Sequence, residues 1–191
     1  MKVLIDPGHG GTDPGAVYAG KVLEKNLNLQ IAERVKKIML AENHTVLMTR
    51  ETDATLTIGE RLAIEHDGRF DCCLSVHCNA SVNQSANGFE ICHWHTSKMS
   101  EALSAAIYDR ALVAGLRCRA PYLADDLANT PERDLAMCHR TKAPAVIVEC
   151  GFGSNPMDLL RLTTDGTQQV LAAAIAYGAG DWFKSPKWPL E

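Results

Sequence analysis

Four side chains that can bind a metal or move a proton lie beside glycines or next to apolar runs. His9 stands between glycines in the segment 6–11, and His77 ends the apolar run 71–77. Glu24 begins a helical pattern, and Glu149 directly follows three β-branched residues. Taken singly, each has an ordinary explanation: a solvated turn, a core histidine, a carboxylate that favours a helix N-terminus, and a buried ion pair.

Taken together, the four residues indicate a hydrolytic metal site. Two imidazoles and one carboxylate, from His9, His77 and Glu24, make a three-ligand zinc set that leaves a fourth position for water. The second carboxylate, Glu149, could take a proton from that water. The ligands lie 15 and then 53 residues apart, unlike a site carried on one helix, so spacing alone does not identify them.

Apolar periodicity predicts the elements that must position these residues. Strands are predicted at 2–6, 44–49, 71–77, 88–96, 134–139 and 143–149, and helices at 24–42, 57–66, 97–114, 156–162 and 166–183. A loop is predicted at 117–131. The last helix is expected to bury Val170, Leu171, Ala174, Ile175 and Tyr177.

Strands that alternate with helices imply a three-layer α/β domain. Functional residues of such a domain cluster beyond the carboxyl ends of its strands. His9, His77 and Glu149 all fall at such ends in this sequence.

Composition excludes several classes of protein. With 191 residues, 46% hydrophobic and 22% charged, the chain is an ordinary globular domain, and a net charge of -4 gives no reason to expect nucleic acid or anionic lipid as a partner. Its apolar stretches are too short to insert in a membrane. The seven cysteines are odd in number and do not form the two close pairs of a four-thiolate zinc site, so we expect free thiols.

The motifs, in this order, resemble the zinc-dependent N-acetylmuramoyl-L-alanine amidases, which include bacterial cell-separation amidases and many phage endolysins. The matching pieces run along nearly the whole chain: 6–11 with Asp13 and Gly15, 24–29, Thr49-Arg50 with Asp53 and Arg61, 75–80, 88–90, and 144–152 with Asn155.

The resemblance implies that His9, Glu24 and His77 bind one zinc ion and that Glu149 is the catalytic carboxylate. It also implies a mixed, mostly parallel sheet of about six strands flanked by helices. The reaction implied is hydrolysis of the amide between N-acetylmuramic acid and L-alanine in peptidoglycan.

The chain departs from the family pattern at two places. Glu65-His66 stands where relatives often have Ala-Asn, and the segment 135–141 lacks their apolar pattern. The cell-separation branch often carries an inserted helix that blocks the site. The stretch 94–101 is too short to hold one, so we expect an open site.

Several further residues are candidates for supporting roles. Asp6, Ser75 and Asn79 could orient the metal ligands, and Asp13 could hold the first loop. Arg50 and Arg61 could bind a substrate carboxylate, but ion pairs with Asp53 or Glu60 are the favoured interpretation. His93 and His95 alternate along a predicted strand; packing is favoured over a second metal site, and neither Cys138 nor His139 receives a role.

These inferences predict a catalytic domain over residues 1–183 with a short proline-containing tail at 184–191 and no separate wall-binding domain. The chain shows no signal peptide, which favours a monomeric endolysin made in the cytoplasm and released to the wall through a membrane lesion; a bacterial enzyme freed by cell lysis is the alternative. Two other functions stay open, a zinc exopeptidase that acts on soluble peptides and a non-catalytic wall-binding module.

Overall fold

A computed structural model of the chain describes residues 1–119, 122–123 and 135–185. The strands are β1 (Lys2–Pro7), β2 (Val17–Tyr18), β3 (Val22–Leu23), β4 (Thr45–Met48), β5 (Cys72–Asn79), β6 (Glu90–His93), β7 (Tyr122–Leu123) and β8 (Ala145–Phe152). The helices are α1 (Glu24–Ala41), α2 (Ile58–Gly68), α3 (Lys98–Val113), α4 (Ala136–His139), α5 (Pro156–Leu162) and α6 (Asp165–Lys184).

Six strands form one mixed sheet in the order β4-β1-β5-β8-β6-β7. Neighbouring strands run parallel except β6 and β8, which are antiparallel. The central strands β5 and β8 are apolar and buried over nearly their whole length, as parallel strands covered on both faces must be. The predicted fold class, a mostly parallel sheet flanked by helices, is confirmed.

The two faces of the sheet are covered unequally. The long helices α1, α3 and α6 pack on one another and on one face, over the largest group of buried side chains. On the other face, a smaller cluster that includes Leu4, Cys73 and Met137 lies beneath the short helices α2 and α4. Because side chains alternate along a strand, the residues that follow Leu4 and Cys73 on this thinner face include Asp6, Ser75 and His77.

Local sequence explains how the helices near the site begin. At α2 Thr57 and Glu60 form a capping box: the Thr57 side chain accepts from the Glu60 backbone N–H, and the Glu60 carboxylate accepts from the Thr57 N–H. At α1 no side chain caps the N-terminus, and Glu24 occupies the first turn. Its carboxylate is therefore available for other partners.

The structure corrects the prediction of a strand at 134–139. Residues 136–139 form the single-turn helix α4, and residue 134 lies outside the described residues. Met137 packs with Leu4, whereas Cys138 packs with Cys92 and Ile147. A short apolar run suits a buried helical turn as well as a strand, so periodicity could not separate the two.

Three smaller predictions also change. The strand predicted at 88–96 is only Glu90–His93, so His95 lies beyond it. On α6, Val170 and Tyr177 are 38% and 42% exposed, because they lie seven residues apart on the outer side of the helix. The edge strand β7 lies within the predicted loop at 117–131, most of which is outside the described residues, as is most of the predicted tail.

Among the described residues, no helix combines the length and apolar composition that crossing a membrane requires.

The contact between α3 and α6 depends on a glycine. A Cβ atom placed on Gly178 would lie 2.5 Å from the Ile107 Cα atom. Gly178→Ala should therefore push the helices apart and lower the free energy of unfolding by about 1–3 kcal/mol, measured by chemical denaturation. Gly166→Ala, on the same helix with no atom within 4 Å of the new carbon, is the matched control and should be neutral or stabilising. Equal effects of the two substitutions would contradict this packing account.

Candidate metal centre

His9, Glu24 and His77 meet at the carboxyl edge of β1 and β5. The Glu24 Oε1 atom lies 3.2 Å from His9 Nε2 and 3.1 Å from His77 Nδ1. One ligand atom from each of the three residues lies within 4.8 Å of the others, and no other such group occurs in the described part of the chain. The fold thus brings together the three residues that the sequence proposes as metal ligands.

The electrostatics of this cluster favour a bound cation. Burial alone would raise the pKa of Glu24, but hydrogen bonds and charge interactions with the two imidazoles hold it well below its usual value. Burial opposes a charge on His9, yet the Glu24 and Asp13 carboxylates raise its pKa to about 9. Burial also opposes a charge on His77, but its hydrogen bond and charge interaction with Glu24 raise its pKa above the usual value. Glu24 is therefore held in its charged form between the two imidazoles, and a metal ion that bound there would displace their protons.

The donor set fits zinc, since two imidazole nitrogens and one carboxylate oxygen are common ligands of catalytic zinc sites. The unused nitrogen of His9, Nδ1, lies 2.8 Å from the Asp13 carboxylate, which orients the ring. The second Glu24 oxygen accepts from the Ala16 N–H at 2.9 Å. A Cβ atom on Gly8 would lie 2.1 Å from the His77 ring, so only glycine leaves room for that imidazole.

The loop that carries His9 is held in a strained conformation. The backbone of His9 has a φ of 61°, in the left-handed region that costs roughly 1–2 kcal/mol for a residue with a side chain. Arg61 donates to the His9 carbonyl at 2.6 Å, and Arg50 donates to the Gly8 carbonyl at 2.9 Å. Lys25 donates to the Gly11 carbonyl at 2.8 Å. Three cationic side chains thus fix the backbone on both sides of the candidate ligand.

Glu149 lies beside the cluster. It is directly opposite His77 in the register of β5 and β8, and both side chains line one cavity of about 540 Å³. The same cavity is lined by the three candidate ligands and by Asn79. Its lining also includes the apolar side chains of Leu56, Ile58, Leu135, Met137 and Ile147. A carboxylate, a candidate metal site and space for a substrate therefore occur together at the edge that topology predicts.

Comparison with known proteins identifies the family. A model of the N-acetylmuramoyl-L-alanine amidase family matches residues 3–180.

The chain belongs to the N-acetylmuramoyl-L-alanine amidase family.

Relatives support this membership. The probable cell wall amidase LytH of Staphylococcus epidermidis is 30% identical over 188 residues, which are 96% of this chain and 58% of that protein. The chain thus spans little more than half the length of this relative.

The chain spans nearly the whole length of two solved structures of this amidase class. The N-acetylmuramoyl-L-alanine amidase AmiC2 of Nostoc punctiforme has a TM-score of 0.86 and 26% identity, covering 97% of this chain and 98% of its own. The catalytic domain of CwlV from Bacillus (Paenibacillus) polymyxa has the same TM-score and 27% identity, covering 97% and 99%. The chain is therefore a member of an enzyme family.

Within this amidase domain, Asp6 is the buried anchor of the His9 loop. Its carboxylate accepts from Arg61 at 2.6 Å, from Thr49 at 2.7 Å and from Ser75 at 2.7 Å. The Ser75 hydroxyl thus acts on Asp6, and among the described residues it forms no hydrogen bond with the three candidate ligands. Although burial opposes its charge, Arg61 and these hydrogen bonds hold the pKa of Asp6 below its usual value.

The prediction that Arg50 and Arg61 form ion pairs with Asp53 or Glu60 is wrong. Arg61 pairs with Asp6, and Arg50 donates to backbone carbonyls, whereas Asp53 pairs with Lys25 at 2.7 Å. Glu60 is used in the cap of α2. Sequence reasoning also missed Lys25 as an organiser of the loop, although its place directly after Glu24 offered a signal.

The remaining candidates, Asn79, His93 and His95, are not part of the His9, Glu24 and His77 cluster. Asn79 contacts Glu90, to which it donates at 2.7 Å. His93 is buried and lies 3.3 Å from the Trp94 carbonyl, while the ring of His95 packs on that tryptophan. The described residues hold no second metal-binding group at these histidines.

The cysteines and the segment 138–139 have structural contacts. All seven cysteines are free and six are buried, as predicted. The Cys138 thiol lies 3.6 Å from the Cys92 carbonyl, and the His139 ring packs against Trp94.

The Asp6–Arg61 pair predicts a pH-dependent stability. Asp6→Asn should lower the free energy of unfolding by about 3 kcal/mol at pH 7, because it leaves a buried guanidinium without its carboxylate. Since the folded pKa of Asp6 is depressed, its contribution is present above the unfolded pKa of about 3.9 and is lost as the pH falls through the folded pKa. The difference between variant and wild type should therefore shrink below about pH 4.

Chemical denaturation across pH tests this, with Glu51→Gln as control. Glu51 pairs with Lys36 on the surface, so its loss should cost under about 1 kcal/mol. An Asp6→Asn effect as small as the control's, or one that is constant down to about pH 3, would contradict the account.

Proposed function

We propose that the chain is a zinc-dependent hydrolase that cleaves the amide between N-acetylmuramic acid and L-alanine in peptidoglycan. The observation that carries the proposal is the meeting of His9, Glu24 and His77 beside Glu149 in one cavity. Membership of the amidase family supplies the substrate class.

His9, Glu24 and His77 would hold the zinc ion. A zinc ion bound by these residues would supply a Lewis acid for the scissile carbonyl and would lower the pKa of a water molecule toward about 7. Asp13 keeps the His9 ring turned toward Glu24, and Gly8 leaves the space that the His77 ring fills. The chain thus prepares the ligand geometry before any ion binds.

Glu149 would move the proton. The reaction adds water to the lactyl carbonyl carbon, breaks the bond from that carbon to nitrogen, and leaves a carboxylate on the sugar and an amine on the peptide. Glu149 takes the proton from the attacking water and gives it to the departing nitrogen. Its position opposite His77 supports this role, because the Glu149 side chain lines the same cavity as the three candidate ligands.

The cavity supports an extended substrate. It lies on the thinly covered face of the sheet, between the start of α2 and the helix α4. Only residues 94–97 separate β6 from α3, so no helix is inserted at this connection, consistent with an open site.

The finer assignments stay predictions of the sequence. These are the endolysin type, the monomeric state, the division into a catalytic domain at 1–183 and a tail at 184–191, and release to the wall through a membrane lesion. Lysis of susceptible cells by added protein would test the first of them.

Replacing the catalytic carboxylate should separate chemistry from metal binding. We expect Glu149→Gln to reduce hydrolysis at least about 100-fold while zinc stays at one ion per chain, because the amide cannot accept the proton. Glu33→Gln, an exposed change on α1, is the control and should keep wild-type activity. His77→Ala should instead lose the metal.

The measurement is mass spectrometry of purified peptidoglycan after digestion, with and without a chelator. The proposal expects free amino groups on L-alanine and disaccharides that have lost their peptides, and the chelator should abolish both products. Wild-type turnover by Glu149→Gln would remove Glu149 from the mechanism. Cleavage only between amino acids would favour the exopeptidase, and no cleavage would favour the wall-binding module.

A further inference from the structure

A second groove lies on the far side of Glu149 from the metal centre. It has a volume of about 520 Å³ and is formed by the loop between β5 and β6 and by the segment that precedes β7. We call it the arginine groove; its lining residues are Ser81, Asn83, Ser85, Ala86, Asn87, Arg117, Cys118 and Arg119.

The arginine groove is cationic. Its lining contains two arginines and no carboxylate. Arg117 is exposed, and the described part of the chain places no acidic side chain in ion-pair contact with it. Arg119 is oriented by Glu90, whose carboxylate lies 2.6 Å from Nε, and by the ring of Phe152 at 5.1 Å. Because Nε faces Glu90, the two terminal amino groups of the guanidinium remain as donors.

The walls of the groove are built before any ligand arrives. Asn83 accepts hydrogen bonds from the backbone and side chain of Ser85, at 3.0 and 2.7 Å. Asn155 donates to the Gln84 carbonyl at 2.8 Å, which ties the loop to the start of α5. Opposite, the backbone of 117–119 pairs with Phe89 through two hydrogen bonds of 2.7 and 2.9 Å. Binding would therefore require little ordering of the backbone.

The groove lies next to the candidate catalytic carboxylate. Glu90, which holds Arg119, is directly opposite Glu149 in the antiparallel pair of β6 and β8. Asn79, which lines the catalytic cavity, donates to the same Glu90. The backbone of residues 117–119 pairs with Phe89 one strand position further out, so it lies about 10 Å from the β8 backbone at the usual strand spacing.

We propose that the arginine groove binds a carboxylate of the peptide that carries the leaving amine, two or three residues from the scissile bond. The proposal rests on the proposed function and names a subsite for that reaction. Two to three extended residues span about 7–11 Å, a length comparable with this backbone separation.

The chemistry of the substrate also assigns the peptide, and not the glycan, to this side. The carboxyl group of the sugar is consumed in the scissile amide, so the amidated sugar has no charge for arginines to bind. The peptide retains carboxylates, and guanidinium groups bind carboxylates well. Because Glu149 gives its proton to the departing amine, the peptide must leave the site on the side of Glu149.

The test compares peptidoglycan whose peptide carboxylates are charged with the same peptidoglycan after those carboxylates have been neutralised. Purified peptidoglycan free of other wall polymers is divided, and one half is treated with a carbodiimide and methylamine so that peptide carboxylates become neutral amides. The zinc-loaded full chain should release amines from the untreated wall about three- to tenfold faster at limiting substrate. Arg117→Gln should lose most of this preference through KM, with kcat nearly constant, and Arg117→Lys should restore part of it.

Arg69→Gln is the matched control. Arg69 is an exposed arginine at the C-terminus of α2, near the amino end of β5, whereas the metal centre lies at the carboxyl end of that strand. The loss of Arg69 should therefore leave the preference intact. Equal rates on the two walls with the wild-type chain, or a preference that Arg117→Gln retains, would overturn the subsite while leaving the amidase proposal in place. Failure to release amines from either wall would instead overturn the proposed function, and the subsite with it.

Discussion

The candidate metal centre depends on hydrogen bonds that buried arginine side chains donate to the backbone of the His9 loop. His9 adopts a left-handed conformation that its side chain disfavours, so the loop needs external contacts to stay in place. Arg61 and Arg50 donate to successive carbonyls of this loop, and Asp6 compensates the charge of Arg61 inside the protein. Without these hydrogen bonds, the backbone of His9 would not be fixed relative to Glu24 and His77.

Unequal coverage of the sheet explains why the site opens where it does. The three long helices on one face bury most of the core and stabilise the strands. On the other face, the described residues place only the short helices α2 and α4 over the sheet, and the cavity occupies the space between them. Several strand residues that face this space are polar, including Ser75, His77 and Glu149. Stability and access to substrate are thus assigned to opposite faces of one sheet.

Much of this arrangement could be predicted from the sequence because local pattern determines it. Continuous apolar runs identify β5 and β8, three- and four-residue spacing identifies α1, and the pair Thr57 and Glu60 identifies the start of α2. Placing His9, His77 and Glu149 at strand ends follows from the rule that parallel strands present their carboxyl ends at one edge.

The partners of charged residues could not be predicted in the same way. Arg61 pairs with Asp6, 55 residues away, because strand order places the end of β1 beneath α2. The arginine groove likewise depends on the pairing of residues 117–119 with Phe89, which the pattern of apolar residues does not predict. The helix α4 was not predicted because a four-residue segment with three apolar residues is too short to show a period.

X-ray absorption at the zinc edge of the zinc-loaded chain tests the central claim most directly. The account predicts one ion per chain, bound by two imidazole nitrogens and by oxygen at about 2.0–2.2 Å, with no sulfur neighbour although seven cysteines are present. A sulfur shell at about 2.3 Å, or a spectrum unchanged by His9→Ala, would contradict it.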